Sequence, residues 1–284
     1  MLTLWLDGVH GARENMRRDE ALLRRAERGG VAVLRVYGFA PAGITLGYAQ
    51  SAERELDLEV CRRDGVAWAV RPTGGRALFH GGEWTYALAS PVADPEWGGT
   101  LREAYARARA PVAAALRRLG IPAEPAPGAR GRGAAVAEGP GITAEGDGSP
   151  ARPCFASASS HEIVAVGRKL VGSAQRRTAG GLIQQGCVLT GDDHLRIVDY
   201  LRLPAAQRAR WREQLQQRAA RPSAWFRHLT LADFAEALHA VTEASAWLKG
   251  DEGLNALTLA KDAPYTAASG PSTSCVDSIE RSAV

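Results

Sequence analysis

Between residues 13 and 28 the chain sets apolar Met16, Leu22 and Leu23 among charges and then stops at Gly29-Gly30. This is the pattern of an amphipathic helix with a glycine terminator. The run VAVLRVY at 31–37 predicts a strand. In AWAVRPTGGRALFHGGEWTYALASP, residues 67–91, two alternating runs flank Gly81-Gly82 and predict a tight hairpin, with Gly74-Gly75 interrupting the approach to its first strand. Thr100-Leu101-Arg102-Glu103 has capping-box form and starts a helix running towards Gly120, with Pro111 as a kink or break. Residues 121–153 turn to Pro, Gly, Ala and Arg, which predicts a long flexible loop with no packed element. HEIVAVG, RKLVGSAQ and GGLIQQGCVLTG then read as three short strands. AAQRARWREQLQQRA and LADFAEALHAVTEASAWL read as two helices, and the Ser/Thr/Ala/Gly-rich tail from 262 to 284 as disordered.

The chain has 284 residues, 45% of them hydrophobic and 23% charged, enough for one sizeable core. The N-terminus lacks the basic and apolar regions of a signal peptide, and no run approaches the roughly 18 apolar residues of a membrane span. Cys61, Cys154, Cys187 and Cys275 are scattered without CxxC pairing, so neither a zinc site nor a disulfide framework is expected. These features predict a soluble protein of the reducing cytoplasm, with no membrane partner. A net charge of +4 suits an acidic partner. Mixed-sign stretches such as RENMRRDEALLRRAE, without any RNA- or DNA-binding signature, argue against nucleic acid.

Two constellations could carry chemistry. In Thr73-Gly74-Gly75-Arg76-Ala77-Leu78-Phe79-His80, glycines beside a strand let backbone N–H groups approach a carbonyl or phosphate oxygen, and Arg71 and Arg76 add positive charge. The segment is neither a Walker loop nor a dinucleotide fingerprint. The second pairs Cys154 with Lys169, fifteen residues later in GRKLVGSAQ. An ammonium group near a thiol stabilises the nucleophilic thiolate. Arg152 and Arg168 make the surroundings more cationic. His80, His161 and His194 have no serine elbow to serve, and no metal-binding motif is present, so no metal is expected.

At these residues the sequence resembles the lipoate-protein ligase and octanoyltransferase family, which shares a catalytic domain with biotin protein ligases. The resemblance covers roughly residues 3–250 and rests on five ordered blocks: Asn15-Met16 with Asp19 to Leu23, Arg35-Val36-Tyr37, Thr45 to Gln50, Arg71 to Tyr86, and Gly167 to Gln175. It implies an α+β fold of mixed, largely antiparallel sheets flanked by helices, related to class II aminoacyl-tRNA synthetases. One catalytic domain would occupy residues 1–261. By the same resemblance, Arg71, Gly74, Gly75, Arg76, Ala77, Leu78, Phe79 and His80 line an acyl pocket. Gly172, Ser173 and Ala174 belong to the binding block, and Lys169 contacts the acyl carbonyl. Many relatives carry Asp directly after the histidine, where this chain has Gly81.

Cys154-Phe155 ahead of the lysine block, with Ser160-His161-Glu162-Ile163 after it, looks like the LipM-type octanoyltransferases. That branch implies octanoyl transfer from acyl carrier protein, through a Cys154 thioester, to a lysine of a lipoyl domain, in glycine cleavage H protein or a 2-oxoacid dehydrogenase E2. It implies no cofactor. ATP and magnesium belong to the alternative of a lipoate-protein ligase, and an octanoyl amidotransferase between lipoyl domains is a further alternative. An aliphatic chain requires an apolar slot, for which Leu78 and Ala87 are candidate walls.

Overall fold

A computed structural model of the chain describes residues 1–126 and 162–259. In chain order its strands are β1 (Leu2–His10), β2 (Ala32–Phe39), β3 (Gly43–Leu46), β4 (Ala67–Val70), β5 (Leu78–His80), β6 (Trp84–Pro91), β7 (Ala123–Pro125), β8 (Ile163–Ala165), β9 (Arg168–Arg177), β10 (Gly181–Val188) and β11 (Ala246–Lys249). The helices are α1 (Ala12–Glu27), α2 (Ala52–Glu55), α3 (Leu58–Arg63), α4 (Leu101–Arg118), α5 (Ile197–Tyr200), α6 (Ala205–Arg218), α7 (Ser223–Phe226), α8 (Leu231–Thr242) and α9 (Asp251–Ala256). One sheet runs β11-β1-β2-β6-β10-β9-β8-β7 and a small one runs β4-β3-β5. Strand β1 pairs parallel with β2 and β11, as β3 does with β4, and the remaining neighbours are antiparallel. This is the expected mixed, largely antiparallel α+β architecture.

Alternation along the strands gives the large sheet two buried faces. One carries Val33, Tyr37, Ala89 and Ile183 and packs on Met16, Leu22 and Leu23 of α1. The other carries Leu34, Val36, Tyr86 and Leu88 and packs on Val112 and Leu116 of α4 and Phe234 and Leu238 of α8. Among the described residues, no helix is long and apolar enough to cross a membrane.

Several sequence expectations hold: α1, β2, β8, β9, β10, α6, and the Thr100–Glu103 capping box, whose reciprocal bonds are both made. Others do not. No hairpin forms at Gly81-Gly82, because β5 pairs with β3 in the small sheet while β6 lies between β2 and β10 in the large one. The preferred two-residue turn needs positive φ at both central residues, and neither glycine has it. Helix α4 runs unbroken through Pro111. The predicted loop at 121–153 begins with a packed strand, β7, on the edge of the large sheet, and the rest of it lies outside the described residues. The last predicted helix stops at Thr242. Glu243 turns left-handed (φ 49°), and Ala246–Lys249 becomes a strand because the exposed side of β1 offers it a parallel partner. The tail from 262 also lies outside the described residues.

The feature that ties the layers together is ionic. Arg35 of β2 is completely buried and bonds two buried carboxylates, Asp7 of β1 and Asp19 of α1. It also donates to the Asn15 carbonyl and side-chain oxygens at 3.0 and 2.7 Å, with its guanidinium stacked over the Tyr37 ring. Arg18 supplies a second cation to Asp7. Burial pushes the Asp7 carboxyl up, but the hydrogen bond to His10 and the charges of Arg35 and Arg18 outweigh it and hold Asp7 below its ordinary value. Burial likewise raises Glu14, and hydrogen bonds from Arg17 and Arg18 overturn it, bringing the carboxyl down to about 2.

Removing one member of a buried ion cluster leaves the others uncompensated, at a cost of about 3–5 kcal/mol. Arg35→Met should therefore destabilise the fold by about that amount, read as a lower urea midpoint with an unchanged slope. Both carboxyls have depressed folded-state values. Their contribution is complete above their ordinary values, 4.5 for Glu14 and 3.8 for Asp7, and is lost as pH falls through the folded values. Thermal melts from pH 5 to pH 2 should show Tm falling across that window, and a flat Tm would contradict the account.

Candidate active site

The glycine segment joins β4 to β5. Arg71, at its start, turns inward: its guanidinium donates to the Gly74 carbonyl (3.0 and 2.7 Å), the Arg76 carbonyl (2.9 Å) and the Thr45 carbonyl (3.2 Å). The expected free charge of Arg71 is thus committed to clamping the loop. Gly75 takes a left-handed φ of 95°, and a Cβ on Gly47 would sit 2.1 Å from the Gly75 carbonyl oxygen. Two glycines distant in sequence are therefore needed at one crossing. Gly75 and Arg76 are exposed, while Ala77, Leu78, Phe79 and His80 are buried.

The loop is fixed over the large sheet by one polar chain. The Thr73 hydroxyl donates to the Gln185 side-chain oxygen (2.5 Å), and the Gln185 amide donates to Asp19 (2.5 Å), which also receives the Tyr37 hydroxyl (2.6 Å). Thus the Arg35 cluster reaches the glycine loop through β10. Along this face of the sheet, Gln185 and Cys187 stand opposite Ala174 and Gly172 of β9. Side-chain alternation places Ser173 on the other face. On that face the Tyr86 hydroxyl is fully buried, and burial pushes its pKa up to about 12. Phe79 likewise turns away from its neighbours Leu78 and His80 and stacks on Tyr200, with ring centroids 5.5 Å apart. Ala87 is packed with the α1 cluster.

His80 stacks on Phe39 (3.9 Å between ring centres), and both its ring nitrogens are engaged, Nδ1 with Glu83 (2.5 Å) and Nε2 with the Thr45 hydroxyl (2.7 Å). Donor atoms of His80, Glu83 and Cys187, all buried, lie within 4.8 Å of one another. The space that a side chain at Gly81 would take is held by the Asp193 carboxylate, 2.7 Å from the Cβ position, which accepts the Gly82 N–H.

Lys169 is buried and forms an ion pair with Glu162, buried as well. Val166 and Gly167 both have positive φ (50° and 71°), closing a tight turn between β8 and β9. The register then shifts, Ile163 facing Val171 and Val164 facing Lys169, so β9 bulges by one residue beside the lysine. Bulges of this kind re-aim a side chain. Sequence reasoning singled out Lys169 but gave Glu162 no role; the left-handed turn that brings them together is only faintly signalled by Gly167. Cys154, Phe155, Arg152 and His161 lie outside the described residues. His194 is buried in the segment after β10, and burial holds its pKa down.

Residues 11–243 match the lipoyl protein ligase A/B catalytic domain family, and the chain belongs to it. It is similar to octanoyltransferase LipM of Moorella thermoacetica (38% identity over 190 residues, 66% of this chain and 65% of that protein). It is also similar to octanoyltransferase LipM of Symbiobacterium thermophilum (35% over 236 residues, 79% and 82%) and of Bacillus subtilis (32% over 204 residues, 72% and 69%). The match thus spans just under two thirds of the Moorella protein. In fold it is similar to a lipoate-protein ligase A crystallised with ATP (TM-score 0.64, 21% identity, 90% of this chain and 91% of that one). A bipartite lipoate-protein ligase from Thermoplasma acidophilum gives a TM-score of 0.66 at 21% identity, covering 90% and 89%.

Gly47→Ala should push its methyl into the Gly75 carbonyl and displace the loop, costing about 1–3 kcal/mol. It should also loosen the loop, read as faster amide hydrogen exchange from Gly74 to Arg76. Exchange measurements beside a thermal melt check both, and unchanged exchange would contradict the close approach of Gly47 to Gly75.

Proposed function

We propose that this chain is an octanoyltransferase of lipoate assembly, accepting octanoyl from acyl carrier protein on Cys154 and passing it to a lysine of a lipoyl domain in the cytoplasm. The observation that carries this reading is the likeness to proteins named octanoyltransferase LipM, at 32–38% identity for those described above, together with Cys154-Phe155 ahead of the Lys169 block. The Cys154 thiolate attacks the carrier's thioester carbonyl, the carrier thiolate leaves and takes up a proton, and one thioester replaces another at little net free-energy change. A lysine amine then attacks the Cys154 thioester, loses its proton, and leaves an amide with the thiol regenerated. No ATP is consumed.

Lys169 suits this chemistry as a buried ammonium whose counter-charge is Glu162. Placed at the acyl carbonyl, it would steady the oxyanion of each tetrahedral intermediate. The glycine loop and the face carrying Gly172, Ala174 and Cys187 would hold the chain, each buried methylene contributing about 0.8 kcal/mol. The net charge of +4 favours encounter with acidic carrier proteins.

Incubation with octanoyl acyl carrier protein and no ATP should add one octanoyl group to Cys154, seen by mass spectrometry, and Cys154→Ala should abolish both the adduct and transfer while remaining folded. Lys169→Ala should slow acylation and move it to higher pH. Loading of free lipoate that depends on ATP, with no adduct on Cys154, would establish a ligase instead. A preference for an octanoylated lipoyl domain as donor would establish an amidotransferase.

A further inference from the structure

A line of hydrogen bonds runs from Glu83, in the connection between β5 and β6, through His80 to the glycine loop. Its links are Glu83 Oε1 to His80 Nδ1 (2.5 Å), His80 Nε2 to Thr45 Oγ1 (2.7 Å), and Thr45 Oγ1 to Arg71 (3.2 Å). Glu83 is buried, and its other oxygen accepts the Gly81 N–H at 2.6 Å. Arg71 in turn clamps the carbonyls of Gly74 and Arg76.

The two ends of this line fix its sense. A guanidinium can only donate, so Thr45 Oγ1 accepts from Arg71. An ionised carboxylate can only accept, so His80 Nδ1 carries a proton and gives it to Glu83. One hydrogen then remains to be placed between Thr45 and His80 Nε2. If the hydroxyl donates, every atom in the line is satisfied and the imidazole is neutral. If Nε2 carries a proton as well, Thr45 Oγ1 receives two donors and its own hydrogen must find another acceptor. No such acceptor appears among the hydrogen bonds of the described residues around Thr45. The face of His80 lies flat on Phe39, an apolar neighbour that suits an uncharged ring.

We propose that Glu83 is a positioning residue for the acyl site: it holds His80 as the neutral Nδ1–H tautomer, which orients Thr45 to support Arg71 and so sets the glycine loop. It touches no substrate in this role. A pocket wall kept uncharged in this way favours an aliphatic acyl chain over one ending in a charged group. The kinetic part of the proposal rests on the octanoyltransferase reading, and the tautomer does not.

The first test is nitrogen-15 NMR of the full chain labelled at its six histidines, with the His80 signals identified by their loss in His80→Gln. The expected result is a protonated Nδ1 and an unprotonated Nε2. An Nε2–H tautomer or an imidazolium at neutral pH would overturn the proposal, whether or not the protein transfers octanoyl. The second is kinetic. Glu83→Ala should raise KM for the octanoyl thioester about tenfold, as expected for loss of a buried charge-assisted hydrogen bond, with kcat within about twofold. Glu83→Gln, whose side-chain oxygen still accepts from Nδ1, should recover KM to within about threefold. Equal KM values in folded Glu83→Ala and the unmodified chain, or no recovery with glutamine, would refute the positioning role. Absence of transfer by the unmodified chain would refute the octanoyltransferase reading and leave the NMR result standing. If Glu83→Ala does not fold, the tautomer and the glutamine variant still decide.

Discussion

Arg35 is the residue on which the other parts of the molecule depend. A guanidinium at zero exposure is tolerable only where every donor finds an oxygen and its charge is matched. Here Asp7 comes from one neighbouring element and Asp19 from another, with Asn15 filling the remaining positions. The cluster therefore fixes β1, β2 and α1 relative to one another by direction as well as by contact. Apolar packing alone, which is non-directional, would not do this. Because Asp19 also receives Tyr37 and Gln185, the same constraint extends into β10 and, through Thr73, into the glycine loop. The glycine loop is thus an outgrowth of the core's ionic framework.

The glycine loop is held from two directions. Thr73 ties its first residues down to the large sheet, and Arg71 draws its carbonyls together from within. Segments made of glycine lose the most backbone entropy on ordering, so a binding loop of this composition needs such external fixation to be preorganised. Gly47 lets the neighbouring strand approach closely enough for that fixation to work. On β9, Lys169 is held by a turn and a bulge in addition to its ion pair, so its position too is set by backbone geometry.

Much of this was legible in the sequence because local chemistry decides it. The Thr100–Glu103 box, the glycine stop after α1 and the three strands around Lys169 are each written in a few adjacent residues. The ordered blocks from Asn15 to Gln175 carried the family and hence the fold. What sequence reading misassigned depends on partners far along the chain. Gly81-Gly82 resembles a hairpin turn until β3 and β10 compete for the two flanking strands. Ala246–Lys249 continues a helical pattern until β1 offers a parallel edge. Arg71 looks like a free cation until the loop folds its own carbonyls around it. Glu162 gains its role only when a left-handed turn brings it back to Lys169.

The crossing at Gly81-Gly82 has a mechanical consequence. His80 ends a strand of the small sheet and Trp84 begins a strand of the large one, leaving three connecting residues that span at most about 11 Å when fully extended. At that corner the two sheets are tethered covalently and cannot part. At the far side of the loop they are joined by weaker ties, such as the bond from Arg176 to the Pro72 carbonyl at 3.3 Å. The small sheet is therefore held to the large one by the chain itself at one corner and by side-chain hydrogen bonds alone along the glycine loop.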